Sequence, residues 1–295
     1  MIGPLTPHEH LARMILTFLG TSGSEGYPAA FCTCARCVTA RTLGGKNIRR
    51  RSSLLIDNDL LLDLGPDVPS AVQDLGLSLA RLRYVLITHA HDDHFAPIQL
   101  KYRHARYGEP AGAQRKVGAT SLPALTVFGS PPTLARLDEL PMSPDELRVE
   151  ARRVVAGEWF DAGPYRVLAL AARHTPALQA LVFVVSKGDA TVLYATDTGT
   201  LPEATLQHLE RHRLDAAIFD ATFWTGPSDD DHLTLDDVVD LTRDLRRRGV
   251  LHERATVVAT HLSHRSQPDH ATLERRLAGT GVIPAYDGLT LELAR

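Results

Sequence analysis

The sequence predicts a mixed α/β fold in which two packed sheets carry helices on their outer faces. Three observations predict it. Short apolar runs alternate with stretches of helical periodicity, and the second half repeats the first-half order of several strands followed by helix and strand. Several of those strands end on His or Asp, as a site built along one rim of a sheet core requires. No linker rich in Pro, Gly or Ser divides the 295 residues, so residues 1–295 read as a single domain. With 44% hydrophobic and 23% charged residues the composition is that of a soluble globular protein. The net charge of −3 supplies no basic field, which argues against nucleic acid as a partner. No run approaches a membrane span, and residues 1–10 lack a basic segment followed by an apolar one. The three cysteines share one hexapeptide, a poor disulfide framework, and the expected compartment is the cytoplasm.

Residues 1–12 show no periodicity and read as an irregular extension. Met14 to Leu19 is a first strand, and Gly20 to Pro28 is a glycine-rich loop that allows close backbone approach. The basic stretch from Arg41 to Arg51 reads as a solvated linker. Ser52 to Asp57 and Leu60 to Asp63 form a hairpin around Asn58-Asp59. Residues 68–82 carry apolar side chains at helical spacing, and Tyr84 to Thr88 is a buried strand. A helix is expected from Phe95 to Tyr107 and a mobile insertion over residues 105–122, whose charges, with Lys101, Arg103 and Arg106 just upstream, either form a solvated basic face or meet a phosphate near the mouth of the site. Further strands are expected at 125–128, 151–155, 166–171, 181–186, 191–195, 216–220, 256–260 and 289–293. Helices are expected from Ser130-Pro131-Pro132, over 203–212 and over 234–248.

The residues that carry chemistry cluster after the strand at 84–88. Thr88-His89-Ala90-His91-Asp92-Asp93-His94 places three imidazoles and two carboxylates in six residues. Imidazole suits zinc, manganese and iron, and carboxylate adds hard oxygen donors. In this spacing a tight loop aims His89 and His91 at one ion and leaves Asp93 and His94 for a second. His174 ends a strand as His89 does. Asp197 ends the strand Val192 to Thr196, where it either forms a turn or supplies an anion between two ions. Asp63 either shapes a turn or orients the histidine loop from behind. Cys32, Cys34 and Cys37 offer three thiolates to a tetrahedral zinc, whose fourth ligand would be a histidine from elsewhere in the chain; three buried apolar thiols are the alternative.

The order and spacing of these motifs from Met14 to Leu293 resemble the metallo-β-lactamase-fold hydrolases. That resemblance implies a four-layer αββα sandwich. Carried across, His89, His91 and His174 would bind one ion, Asp93, His94 and His261 a second, with Asp197 bridging them. Asp63 matches the structural aspartate of that family. The glycine-rich loop, the cysteine cluster and Thr260-His261-Leu262-Ser263-His264 are similar to the phosphoribosyl cyclic phosphate phosphodiesterase type. This implies a structural zinc on Cys32, Cys34, Cys37 and His264, and His232 as the acid that protonates the leaving alkoxide. The implied activity is hydrolysis of a small cyclic or linear phosphodiester by a hydroxide activated between two divalent ions, zinc or manganese. His232, Asp93 and Asp197 would be its catalytic residues, and a homodimer is left open. Alternatives are a tRNA 3′-processing endonuclease, a thiolester or lactone hydrolase on the same fold, and a metal-binding protein like quinone-cofactor biosynthesis protein B. The last of these typically lacks the intact His-x-His-x-Asp-His motif present here.

Overall fold

The computed structural model describes residues 13–104, 107, 122–225 and 229–294. Residues 1–12 and almost all of 105–122 therefore lie outside the described residues. Two seven-stranded sheets face each other. The first runs β14(Thr290–Ala294), β1(Arg13–Gly20), β2(Ser53–Ile56), β3(Leu60–Leu62), β4(Tyr84–Leu86), β5(Leu125–Gly129) and β6(Val149–Arg153). The second runs β13(Val282–Pro284), β12(Leu251–Thr260), β11(Leu214–Asp220), β10(Ala190–Ala195), β9(Leu181–Lys187), β8(Tyr165–Ala171) and β7(Trp159–Ala162). Alternating residues of both inner faces, among them Met14, Leu16, Phe18, Leu54, Phe183 and Tyr194, form the central core.

Helices cover the outer faces. The first sheet carries α2(Val68–Asp74), α3(Pro131–Ala135) and α4(Pro144–Leu147). The second carries α5(Glu203–Leu209), α6(Leu235–Arg247) and α7(His270–Leu277). Thr234 starts α6 with a reciprocal capping box to Asp237, and the gradient from Asp236 and Asp237 to Arg246 and Arg247 opposes the helix dipole. The αββα sandwich is thus the observed architecture. No helix among the described residues is long and apolar enough to cross a membrane.

Several local expectations are corrected. Residues 41–51 are not a solvated linker. The helix α1(Ala35–Leu43) runs into them, and Arg49 is buried, donating to Thr21 Oγ1 at 3.0 Å and meeting His270 Nδ1 at 2.8 Å. Arg51 pairs with Asp67, and Arg50 with Asp287 and Asp74. The helix expected over 68–82 stops at Asp74, because Gly76 takes a φ of +65° and Leu77 turns back to the Val72 carbonyl. The stretch from Phe95 winds as a 3-10 turn, Pro97–Arg103, and Arg103 is buried against the Leu147 and Pro123 carbonyls rather than lying on a solvated face. The hairpin turns on Asp57-Asn58, both at positive φ, one residue earlier than expected. β7, α7 and β13 have no counterpart in the sequence reading.

The parallel strands fix the site's place. β3, β4 and β5 pair in parallel, as do β10, β11 and β12. Parallel alignment brings their carboxyl ends to one edge, where the backbone leaves the sheet and polar side chains can converge. Asp63 (φ +62°), Asp197 (φ +47°) and His261 (φ +59°) sit there in the left-handed region, so each strand breaks sharply as it delivers its side chain.

Candidate metal centre

Every residue expected to build a dinuclear site arrives at this one edge. His89, His91 and His174 offer nitrogens within 4.8 Å of one another, and so do the ligand atoms of Asp93, His94, Asp197 and His261. His91 Nδ1 lies 2.9 Å from His89 Nε2 and 3.3 Å from His174 Nε2. Three nitrogens at about 2.1 Å from one tetrahedral ion would stand roughly 3.4 Å apart. Asp197 Oδ2 contacts His94 Nε2, lies 3.2 Å from His261 Nε2 and 3.9 Å from His89 Nε2, so it faces both groups. Asp93 Oδ2 is 3.2 Å from His94 Nε2 and 3.7 Å from His261 Nε2.

The outer hydrogen bonds decide which nitrogen of each ring faces inward. Thr88 donates its hydroxyl to Asp63 Oδ1 at 2.9 Å, so the His89 Nδ1–H must donate to Thr88 Oγ1 at 3.0 Å, which leaves Nε2 bare. His94 Nδ1–H donates to Asp63 Oδ2 at 2.8 Å, and the Tyr194 hydroxyl and Thr88 amide complete that carboxylate's partners. On the second sheet Thr222 donates to Asp220 Oδ2 at 3.1 Å and accepts the His261 Nδ1–H at 2.7 Å. The His174 Nδ1–H points at the Asp231 carbonyl, 3.4 Å away. A buried carboxylate and an adjacent threonine thus orient imidazoles from each sheet.

Asp220 and Thr222 are functional neighbours that the sequence reading missed. Asp220 closes an apolar strand just as Asp197 follows one, and that was the available signal. It is fully buried and also lies 3.0 Å from His232 Nδ1. His232 stacks on His261 at 5.5 Å between ring centroids, with 20% of its side chain exposed. Its Nδ1 is held by Asp220, with Thr222 Oγ1 at 3.1 Å and Asp197 Oδ1 at 3.4 Å beside it.

Charge shows what the site is built for. Asp63, Asp93, Asp197 and Asp220 are all buried, and none pairs with a Lys or Arg among the described residues. Buried carboxylates without a cation are costly. Burial works against a charged His94, yet Asp197, Asp93 and Asp63 hold its pKa well above the usual value. His261 is likewise pushed up to about 10, by Asp197 first among its carboxylate neighbours and against its own burial. Although burial raises a carboxyl's pKa, Asp197 is held well below the carboxylate range by His261 and His94, and Asp93 is lowered chiefly by His94. Burial keeps His89 and His174 neutral, as metal ligands must be. His94 Nε2, Asp197 Oδ2 and His261 Nε2 are buried yet make no hydrogen bond. Convergent bare donors in a negative pocket fit divalent cations.

A second cluster has a different donor set. Cys32, Cys34, Cys37 and His264 bring three sulfurs and one ring nitrogen within 4.8 Å, with Cys37 Sγ 3.5 Å from His264 Nδ1. Cys34 sits at the N-cap of α1, where the Cys37 amide lowers its thiol to about 6, while burial pushes Cys37 up to about 11. The donor set fits a closed tetrahedral zinc.

Comparison with known proteins agrees with this geometry. Residues 58–262 match the beta-lactamase superfamily domain. The chain belongs to that family. Within the same fold, it is similar to the crystal structure of a diphosphatase from the PhnP family, at 24% identity and a TM-score of 0.71 over 95% of this chain and 97% of that one. It is also similar to Zn(2+)-bound PqqB from Methylobacterium extorquens, at 17% identity and a TM-score of 0.66 over 95% and 100% of the two chains. The short form of human tRNase Z gives 16% identity and a TM-score of 0.59 over 94% and 98%. No curated protein matches this beta-lactamase superfamily chain by sequence.

Proposed function

We propose that this beta-lactamase superfamily chain is a metal-dependent phosphodiesterase acting on a small cyclic or linear phosphodiester. The observation that carries the reading is the pairing of a seven-ligand cluster with a separate, carboxylate-held imidazole at its rim. His89, His91 and His174 would hold one ion, Asp93, His94 and His261 another, with Asp197 between them, and Cys32, Cys34, Cys37 and His264 a structural zinc. Two bound divalent ions, zinc or manganese, supply a water of lowered pKa and offset the negative charge that develops on phosphorus.

The chain's own residues do the rest. Asp63 and Thr88, with Asp220 and Thr222, hold the imidazoles in the tautomer that presents a lone pair inward. Burial of His89, His94, Asp197 and His261 keeps bulk solvent from their donor atoms. His232 would give its Nε2 proton to the departing ester oxygen. Burial would make that ring less basic, but the hydrogen bond from its Nδ1–H to Asp220 raises its pKa above the usual imidazole value, which favours the protonated form an acid needs. An acid at this place matters most for an alkoxide leaving group, and so favours alkyl phosphodiesters over thiolesters, whose thiolate departs without a proton.

A substrate panel tests the reading. Linear and cyclic phosphodiesters, a lactone, a thiolester and a tRNA precursor would be compared at equal metal loading. Turnover of the small phosphodiesters at the highest kcat/KM supports it. Preference for the tRNA precursor would replace it with a 3′-processing nuclease, and preference for an acyl substrate would remove the phosphodiesterase assignment.

A further inference from the structure

Arg136 opens the short 3-10 turn, Arg136–Glu139, that follows α3, and its guanidinium reaches the loop that carries four of the candidate ligands. Nη1 donates to the Ala90 carbonyl at 2.7 Å and to the Phe95 carbonyl at 2.7 Å. Nη2 lies 2.9 Å from Asp92 Oδ1 and 3.0 Å from Glu139 Oε2, and Nε donates to Glu139 Oε1 at 2.8 Å. All five N–H donors of the side chain therefore have acceptors.

The two carbonyls bracket the run His91-Asp92-Asp93-His94. Within that run, His94 and Phe95 amides both donate to the His91 carbonyl, at 3.1 and 2.8 Å, which makes a tight turn. From outside the turn, Arg136 ties the Ala90 and Phe95 carbonyls at its two ends to each other. Phe95 is fully buried, so its carbonyl would otherwise lie without a side-chain donor. Asp92 also finds its place here. It is the one carboxylate of the motif that is not at the metal cluster; its side chain is 93% exposed and paired with Arg136.

We propose that Arg136 is a positioning residue for the metal centre, fixing the distance between the two ends of the loop and hence the spacing of His91 against Asp93 and His94. This rests on the reading of the cluster as a metal site. None of the guanidinium's partners is a candidate ligand side chain, so the residue acts through the loop backbone. Lysine carries the same charge but cannot span two carbonyls and two carboxylates at once.

The test uses the full chain stripped of metal and titrated with Co²⁺ against a chromogenic chelator, in wild type, Arg136→Ala and Arg136→Lys. Cobalt on the cysteines is counted separately by its thiolate charge-transfer band. Both variants should bind cobalt at the His/Asp cluster at least about tenfold more weakly, with a shifted visible band, while the metal-free proteins melt within a few degrees of wild type. Millimolar guanidinium should restore part of the affinity of Arg136→Ala. Unchanged affinity and band in both variants would overturn the proposal. If Arg136→Ala does not fold, Arg136→Lys decides it on the same two readouts. Wild type binding cobalt at the cysteines alone would instead remove the reading of the cluster as a metal site.

Discussion

Thr88 stands between His89 and Asp63 as a one-way relay: its hydroxyl donates to Asp63 Oδ1 at 2.9 Å and accepts from His89 Nδ1 at 3.0 Å. Since an ionised carboxylate only accepts, the direction of both bonds is fixed, and with it the bare nitrogen that His89 turns inward. Thr222 plays the same part between His261 and Asp220 on the opposite sheet.

Removing the relay should loosen metal without unfolding the chain. Thr88→Val keeps the volume and deletes the hydroxyl, leaving His89 free to adopt either tautomer. The expected result is a loss of about 10–100-fold in metal affinity, read by chelator competition. Thr88→Ser, which retains the relay, should stay near wild type.

His232 as an acid predicts a dependence on the leaving group. His232→Ala should lower kcat on alkyl phosphodiesters by about 10²–10⁴-fold and spare activated aryl esters. An equal loss on every ester would count against the acid. Asp220 raises the pKa of His232, so the protonated acid persists to higher pH and is lost as pH rises through that value. Asp220→Asn should therefore move the alkaline limb of the kcat profile to lower pH.

His270 makes the fold itself pH-sensitive. Burial and the Arg49 guanidinium, 2.8 Å from its Nδ1, depress its pKa to about 4. The unfolded chain binds a proton near pH 6.5, so stability is full above that pH and is lost as pH falls towards 4. The expected contribution is on the order of 2 kcal/mol, read from denaturant midpoints at pH 7 and pH 4.5. His270→Gln should flatten the dependence; a wild-type midpoint independent of pH in this window would contradict it.

The candidate site was legible in the sequence because its candidate ligands are short-range signals: His89 to His94 occupy six positions, and His174, Asp197 and His261 each follow an apolar run. The strands were legible for the same reason, since Leu54–Ile56 or Val182–Val185 have no other use than burial. What escaped depends on contacts far along the chain. Arg49 looks like solvent-facing charge until Ala285 and His270, more than two hundred residues away, supply its acceptors. Asp220 is an ordinary strand end until Thr222, His232 and His261 gather on it. Arg136 carries no motif at all, and its role exists only because the metal loop folds against it.

Hydrolysis is proposed to depend on ions held by the His/Asp cluster, with Asp197 shared between them. Metal content and phosphodiesterase activity of Asp197→Ala, measured on the same preparation beside wild type, test it most directly. The expected result is three divalent ions per wild-type chain, retention of the cysteine-held ion alone in the variant, and loss of activity with an unchanged circular dichroism spectrum. Full activity in a variant that has lost the cluster's metal would contradict it.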